Sequence, residues 1–208
     1  MEVENFNSIQ LDAMKEVGNI GAGNAATALS VMLSRSVDMD VPKAELVSIY
    51  ELAEYYGDPL KEVAAVFVRS DGDFPCSLIF FQDEEDAQTM VDLLISHQMG
   101  GMVPEDLPEE MRDSVLTEVG NIILSSFLNA VNVLIGGTHS ISVPGVAHDM
   151  MGAVLQVVAS IFGQAGEYAF IVDTTLKVGD IDENVSGKVV LLPDPGSLEI
   201  LFGKLQVL

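Results

Sequence analysis

Between residue 8 and about residue 34, apolar or small residues return every three or four positions: Met14, Val17, Gly18, Gly21, Ala25, Ala28 and Met32. That is the period of an amphipathic helix packed on a core, with Asn7 or Ser8 placed to cap it. A second long helix is predicted over 109–135, ended by Gly136 and Gly137. Elsewhere the pattern alternates. Strands are predicted at 37–49, 141–146, 168–177 and 188–192, and a hairpin at 63–69 and 74–81 turns on Asp71-Gly-Asp73. Shorter helices are expected at 51–56, from an Asp83 cap to about His97, from an Asp149 cap over 150–162, and after Pro195. Met99-Gly-Gly-Met-Val-Pro104 reads as a linker.

The two long helices share a signature. Glu16-Val-Gly-Asn-Ile20 recurs as Glu118-Val-Gly-Asn-Ile122, an offset of 102 residues. At the same offset, with no gap, Ala28, Val31, Val41 and Pro42 meet Ala130, Val133, Val143 and Pro144. Identities at one fixed spacing imply a tandem duplication. One domain is therefore expected over 1–208, built from repeats of about 1–102 and 103–208. Its class is α+β with pseudo-twofold character: long helices packed on a mostly antiparallel sheet.

Periodicity also says which side chains look outward. At about 100° per residue, Asp12, Glu16 and Asn19 fall within roughly 60° of one another, opposite the apolar side. Ser114, Glu118 and Asn121 form the same stripe on the second helix. The next position along is Gly23 in one copy and Ser125 in the other, both small enough to let a partner approach. Exposed Glu and Asn on a helix are ordinarily solvated surface. Their recurrence at identical spacing argues for a contact surface instead.

Composition narrows the class of partner. Nine basic residues against 32 acidic ones give a net charge of −23, which excludes nucleic-acid binding through phosphate neutralisation. Anionic membrane surfaces are disfavoured for the same reason. Apolar runs are broken by glycines or charges before about 18 residues, so no membrane insertion is expected. The acidic N-terminus lacks a secretory pattern, and the single Cys76 fits a reducing compartment, so a cytoplasmic location is expected. Cys76 lies in an apolar run and reads as a buried strand residue rather than a nucleophile. His97, His139 and His148 have no metal-ligand spacing, and no bound metal is expected.

The spacing Asp or Ser, three residues, Glu, two residues, Asn, 22 residues, Pro resembles the signature of the CheC–CheX–FliY family of CheY-phosphate phosphatases. It occurs as Asp12, Glu16, Asn19 and Pro42, and again as Ser114, Glu118, Asn121 and Pro144. The likeness runs from Gly18-Asn-Ile-Gly-Ala-Gly-Asn-Ala-Ala26 to Ile171-Val-Asp-Thr174. Two intact motifs set the chain apart from CheX-like proteins. It also ends at Leu208 without the switch domain of FliY-like proteins, so the CheC branch is nearest.

The resemblance implies hydrolysis of the aspartyl phosphate on phosphorylated CheY, and binding of the receptor deamidase CheD. An Asn amide both donates and accepts, which suits Asn19 and Asn121 to orienting the attacking water. The resemblance pairs Glu16 and Glu118 with a lysine of the regulator. Asp12 and Ser114 would support that contact. Pro42 and Pro144 lie too far along the chain for the chemistry and are expected to end ladder pairing at an edge or bend. The regulator supplies Mg2+, leaving this chain without a cofactor of its own. Asp149 is explained as a helix cap, while the His148-Asp-Met-Met151 corner is also a candidate CheD contact. The second stripe has fewer glycines around it and is expected to be the stiffer and more active copy. Two other functions compete. One is a non-catalytic binding or adaptor module for phosphorylated CheY or CheD. The other is a metal-assisted hydrolase, disfavoured because each stripe offers at most two carboxylates and no histidine.

Overall fold

Asn7 opens the first long helix with a reciprocal cap. In the computed structural model, which describes residues 6–100, 107–162, 168–178 and 184–206, its Oδ1 accepts from the Gln10 amide at 2.9 Å. Gln10 Oε1 in turn accepts from the Asn7 amide at 3.0 Å. The bond from Gln10 satisfies a first-turn N–H that helix geometry leaves without a partner. In chain order the elements are α1 (Ser8–Leu33), β1 (Val37–Ser48), α2 (Leu52–Tyr56), β2 (Glu62–Gly72), β3 (Cys76–Asp83), α3 (Glu84–Gln98), α4 (Glu109–Ile135), β4 (His139–Ile141), β5 (Gly145–Met150), α5 (Met151–Phe162), β6 (Tyr168–Val178), β7 (Asn184–Pro193) and α6 (Ser197–Lys204). Gly136, at φ 63°, ends α4 as the Gly-Gly pair predicts. Within the expected linker, positions 101–104 lie outside the described residues.

Among the described residues, seven strands form one antiparallel sheet in the order β1, β6, β7, β3, β2, with β4 and β5 both along the outer side of β2. Each half thus lends its first strand to the other half. β1 pairs with β6, while β4 and β5 pair with β2. The register repeats as well. Ser48 faces Tyr168 and Lys43 faces Asp173 at one edge; Met150 faces Glu62 and Gly145 faces Phe67 at the other. The offset that aligns the helices also carries Ser48 onto Met150 and Lys43 onto Gly145.

The two prolines occupy one irregularity at opposite edges. Against β6, the register of β1 shifts between Asp40 and Lys43, around Pro42. The strand predicted over 141–146 is instead two pieces, β4 and β5, separated by Ser142-Val143-Pro144. Proline has no N–H for a ladder, so the break falls where an edge tolerates it. Ser142 holds the break to β2: its amide donates to Arg69 O at 2.8 Å, and its Oγ accepts from Arg69 N at 3.0 Å. The predicted hairpin turn also moves. Asp71 and Gly72 pair with Ser140 and His139, which extends β2 past the expected turn.

Asp149 is not a helix cap. Strand β5 continues through Met150, with Asp149 opposite Val63. The first amides of α5 are taken by backbone carbonyls, Met151 N to Lys61 O at 2.8 Å and Gly152 N to Pro59 O at 2.9 Å. With those donors satisfied, Asp149 stays exposed at the sheet edge.

Alternation along the strands feeds two cores. Ala64, Val66 and Val68 face the layer of α1, α3, α4 and α6, whereas Val63 and Ala65 face α2 and α5. Cys76 is buried in the first core, and that burial pushes its thiol up to about 12, as a packing residue requires. Contrary to the expectation from broken apolar runs, α4 is long and apolar enough to cross a membrane by length and composition. Of its apolar window 61% is buried within the protein, so its role as a core helix accounts for that composition. The apolar side of α1 drifts from the expected stripe: Leu29 and Leu33 are buried, while Ala28 and Met32 are half-buried.

Glycines set how closely the long helices approach their neighbours. A β-carbon on Gly120 would lie 2.6 Å from Val66 Cβ, and one on Gly21 would lie 2.9 Å from Phe127 Cα. At Gly18 it would meet Val172 at an ordinary 3.5 Å. Gly120→Ala and Gly21→Ala should therefore each destabilise the fold by about 1–2 kcal/mol, overpacking outweighing the helix propensity gained. Gly18→Ala should be neutral or slightly stabilising. Urea unfolding of the three variants tests this, and a Gly120→Ala midpoint matching that of Gly18→Ala would refute the close-approach argument.

Candidate functional site

On α1, Val17 and Gly18 are buried, so Asp12, Glu16 and Asn19 turn outward and are exposed. On α4, Val119 and Gly120 are buried; Ser114 and Glu118 are exposed, and Asn121 is half-buried. The six stripe positions therefore stand where the helical spacing places them. Among the described residues, the side chains of Glu16, Asn19 and Glu118 make no hydrogen bond or ion pair. Two unpaired carboxylates and an uncommitted amide are thus presented to any partner, and an incoming cation meets a carboxylate with no competing partner.

The two stripes are not identical. Lys15 Nζ lies 3.8 Å from Asp12 Oδ1, an exposed pair that solvent screens to little energetic weight. The matching residues on α4 are Thr117 and Ser114, neither charged. At the next stripe position Gly23 is open, whereas Ser125 Oγ donates to Asn121 Oδ1 at 3.4 Å. Among the described residues, no group of three or more His, Cys, Asp or Glu side chains is placed to hold a metal ion.

One arrangement escaped the sequence. His148, on β5, reaches α3 and α4 at once: Nδ1 lies 3.0 Å from Glu84 Oε2 and Nε2 lies 3.1 Å from Asp113 Oδ1. Both partners are acceptors when ionised, so only the imidazolium satisfies both bonds. Asp113 immediately precedes Ser114, and the clamp fixes the first turns of the second stripe helix to the sheet edge. A cleft of about 440 Å³ surrounds it, lined also by Glu62, Glu109, Arg112 and Asp149. No local pattern joins positions 84, 113 and 148; only the strand crossing brings them together.

Asp149 borders a second hollow. An apolar groove of about 490 Å³ runs beside it, lined by Ala65, Phe67, Ala147, Val154 and Val157. Phe67 and Val157 are half exposed or more, at 50% and 57%. Large apolar side chains gathered this way along a groove are commoner at contact surfaces than on free ones.

Comparison with known proteins bears on family and fold. Residues 9–46, which cover α1 and most of β1, match the CheC-like family. Over 201 residues the chain is 38% identical to the CheY-P phosphatase CheC of Bacillus subtilis (strain 168), covering 95% of each protein. It is 27% identical over 135 residues to the flagellar motor switch phosphatase FliY of the same bacterium, spanning 65% of this chain and 32% of that one. Among solved structures, FliY of Thermotoga maritima superposes with a TM-score of 0.74 at 20% identity, over 97% of this chain and 98% of the other, a likeness of fold.

The His148 clamp predicts a pH dependence. Burial alone would lower the imidazole's pKa, but the Glu84 hydrogen bond and the charges of Glu84 and Asp113 outweigh it, so the pKa is raised above 6.5. The folded state then holds the proton more tightly than the unfolded chain. That stabilisation is complete below about 6.5 and is lost as pH rises through the higher folded value. His148→Gln should therefore be less stable than the parent at pH 5.5 and lose most of that deficit by pH 8.5. Urea midpoints at both pH values measure it; a deficit that does not change with pH would rule out the charged clamp.

Proposed function

This chain belongs to the CheC-like family, and from that premise we propose that it is a phosphatase that hydrolyses the aspartyl phosphate of phosphorylated CheY. The observation that carries the reading is the stripe presented twice: Glu16 with Asn19, and Glu118 with Asn121, outward on helices whose other sides are locked in one core. The relative from Bacillus subtilis, similar over nearly the whole chain, is a CheY-P phosphatase. The protein would work beside its regulator in the cytoplasm, as a single domain of two repeats.

An aspartyl phosphate is already activated, so what the partner must add is a water held in line with the departing carboxylate oxygen. In this reading the amides of Asn19 and Asn121 orient that water, accepting from it through Oδ1 or donating through Nδ2. The water oxygen forms the new bond to phosphorus while the bond to the aspartate oxygen breaks, and the water's proton leaves to a phosphate or carboxylate oxygen. Glu16 and Glu118, one turn earlier, anchor the complex on a lysine of the regulator. Asp12 and Ser114 widen that contact. The regulator's own Mg2+ neutralises charge on the phosphoryl oxygens, and this chain contributes no metal.

We also propose the sheet edge at Asp149 as the contact for CheD. Freed from any capping role, the carboxylate stands exposed between the acidic cleft and the apolar groove. A partner with an apolar ridge and a neighbouring cation would fit both. Asp149→Arg should weaken CheD binding, followed by calorimetry, at least tenfold and leave CheY-P hydrolysis unaltered; undiminished CheD binding would remove the assignment.

Loss of acyl phosphate from phosphorylated CheY tests the main reading. Asn19→Ala combined with Asn121→Ala should abolish the acceleration while regulator binding persists through Glu16 and Glu118. An adaptor without turnover predicts no acceleration by the parent protein at all. Hydrolysis at the parental rate in the double variant would sink the mechanism.

A further inference from the structure

Three hydroxyl groups on the long helices turn back on their own backbone. Thr27 donates to Gly23 O at 2.9 Å, Ser30 to Ala26 O at 2.8 Å and Ser126 to Ile122 O at 2.7 Å. This is the ordinary bond of a helical Ser or Thr to the carbonyl four residues earlier. Ser125 departs from it. Its Oγ donates to a side chain four residues earlier, reaching Asn121 Oδ1 at 3.4 Å.

The first copy has no counterpart. The residue matching Ser125 is Gly23, so Asn19 has no hydroxyl one turn beyond it. Burial differs in the same sense, Asn19 being exposed and Asn121 half-buried. By propensity alone the first stripe is the looser, because its glycines loosen the helix. Gly21, however, is locked against Phe127, which offsets part of that looseness. The hydroxyl supplies a difference of another kind, acting on the side chain rather than on the backbone.

We propose that Ser125 is a positioning residue for Asn121, and that its absence at Gly23 makes the two stripes unequal. The inference rests on the reading of Asn121 as the group that orients water. The terminal torsion of an asparagine is broad, so an exposed carboxamide spends much of its time turned wrongly for the reaction. A donor fixed one turn away selects the orientation with Oδ1 toward Ser125 and Nδ2 away from it. The carbonyl oxygen has two lone pairs, so one remains for the water. Half-burial of Asn121 reduces competition from solvent for the same bond. Ser125 touches neither the water nor the phosphoryl group in this scheme. It raises the fraction of enzyme whose amide is ready, which changes kcat and leaves the anchoring by Glu118, and hence KM, alone.

The test isolates each stripe. In an Asn19→Ala background, where only the second stripe works, Ser125→Ala should lower kcat about two- to fivefold with KM for phosphorylated CheY unchanged, the span of a modest neutral hydrogen bond. Ser125→Thr, which keeps the hydroxyl, should restore it. In an Asn121→Ala background, Gly23→Ser should raise kcat of the first stripe by a similar factor. There is room for it, since a β-carbon at position 23 meets nothing within 4 Å. Gly23→Ala controls for helix stiffening and should not give the gain. An unchanged kcat in Ser125→Ala, a rise in KM in place of the fall in kcat, or equal gains from Gly23→Ala and Gly23→Ser would each overturn the inference. Parental activity in the variant lacking both asparagines overturns instead the reading beneath it, and this inference with it.

Discussion

Gly18 and Gly120 each sit one residue before an asparagine of the stripe, and each is where its long helix meets the sheet. Gly18 rests on Val172 of β6, and Gly120 on Val66 of β2. Because a helix turns about 100° per residue, fixing the glycine against a strand fixes the outward direction of the asparagine beside it and of the glutamate two residues earlier. At Gly120 a side chain would lift the helix off the sheet, whereas at Gly18 a methyl would meet Val172 at ordinary contact distance. The stripe is therefore positioned by a backbone contact on the far side of the helix, on elements too well packed to drift.

That contact has a reach beyond its own half because the strands are exchanged. Val172 lies on a strand paired with β1, and Val66 on one paired with β4 and β5. Each half completes the sheet edge of the other, so the backbone hydrogen bonds of either edge strand depend on both repeats. Pro42 and Pro144 then mark where each edge is allowed to break. The His148 clamp ties β5 at one edge to Glu84 and Asp113. Position 46, which matches His148 in the first half, is a buried leucine. The two halves are thus close in backbone and unequal in chemistry.

The inequality would bear on the proposed function. Two stripes with the same Glu and Asn differ in their neighbours: a lysine beside Asp12 in one, a hydroxyl on the asparagine in the other. A strongly acidic protein gains little from long-range attraction to a partner that is itself acidic. Its contact has to be made by local geometry, which places the weight on how well each amide and carboxylate is held.

The sequence alone determined the parts that depend on neighbours along the chain. Helical period put Asp12, Glu16, Asn19 and their counterparts outward, the Asn7 cap and Gly136 bounded the helices, and the repeat showed that the stripe occurs twice. These hold because hydrogen bonds and side-chain directions within a helix are set within four residues. Tertiary structure decided the rest. Asp149 read as a cap until the carbonyls of Lys61 and Pro59 took the donors it was to serve. The hairpin turn moved because Asp71 and Gly72 found partners on β4, nearly seventy residues on. Strand exchange, the Glu84–His148–Asp113 clamp and the split at Pro144 all rest on pairing between distant segments. Which strand lies beside which depends on the burial of the whole sheet, and no window of sequence contains that information.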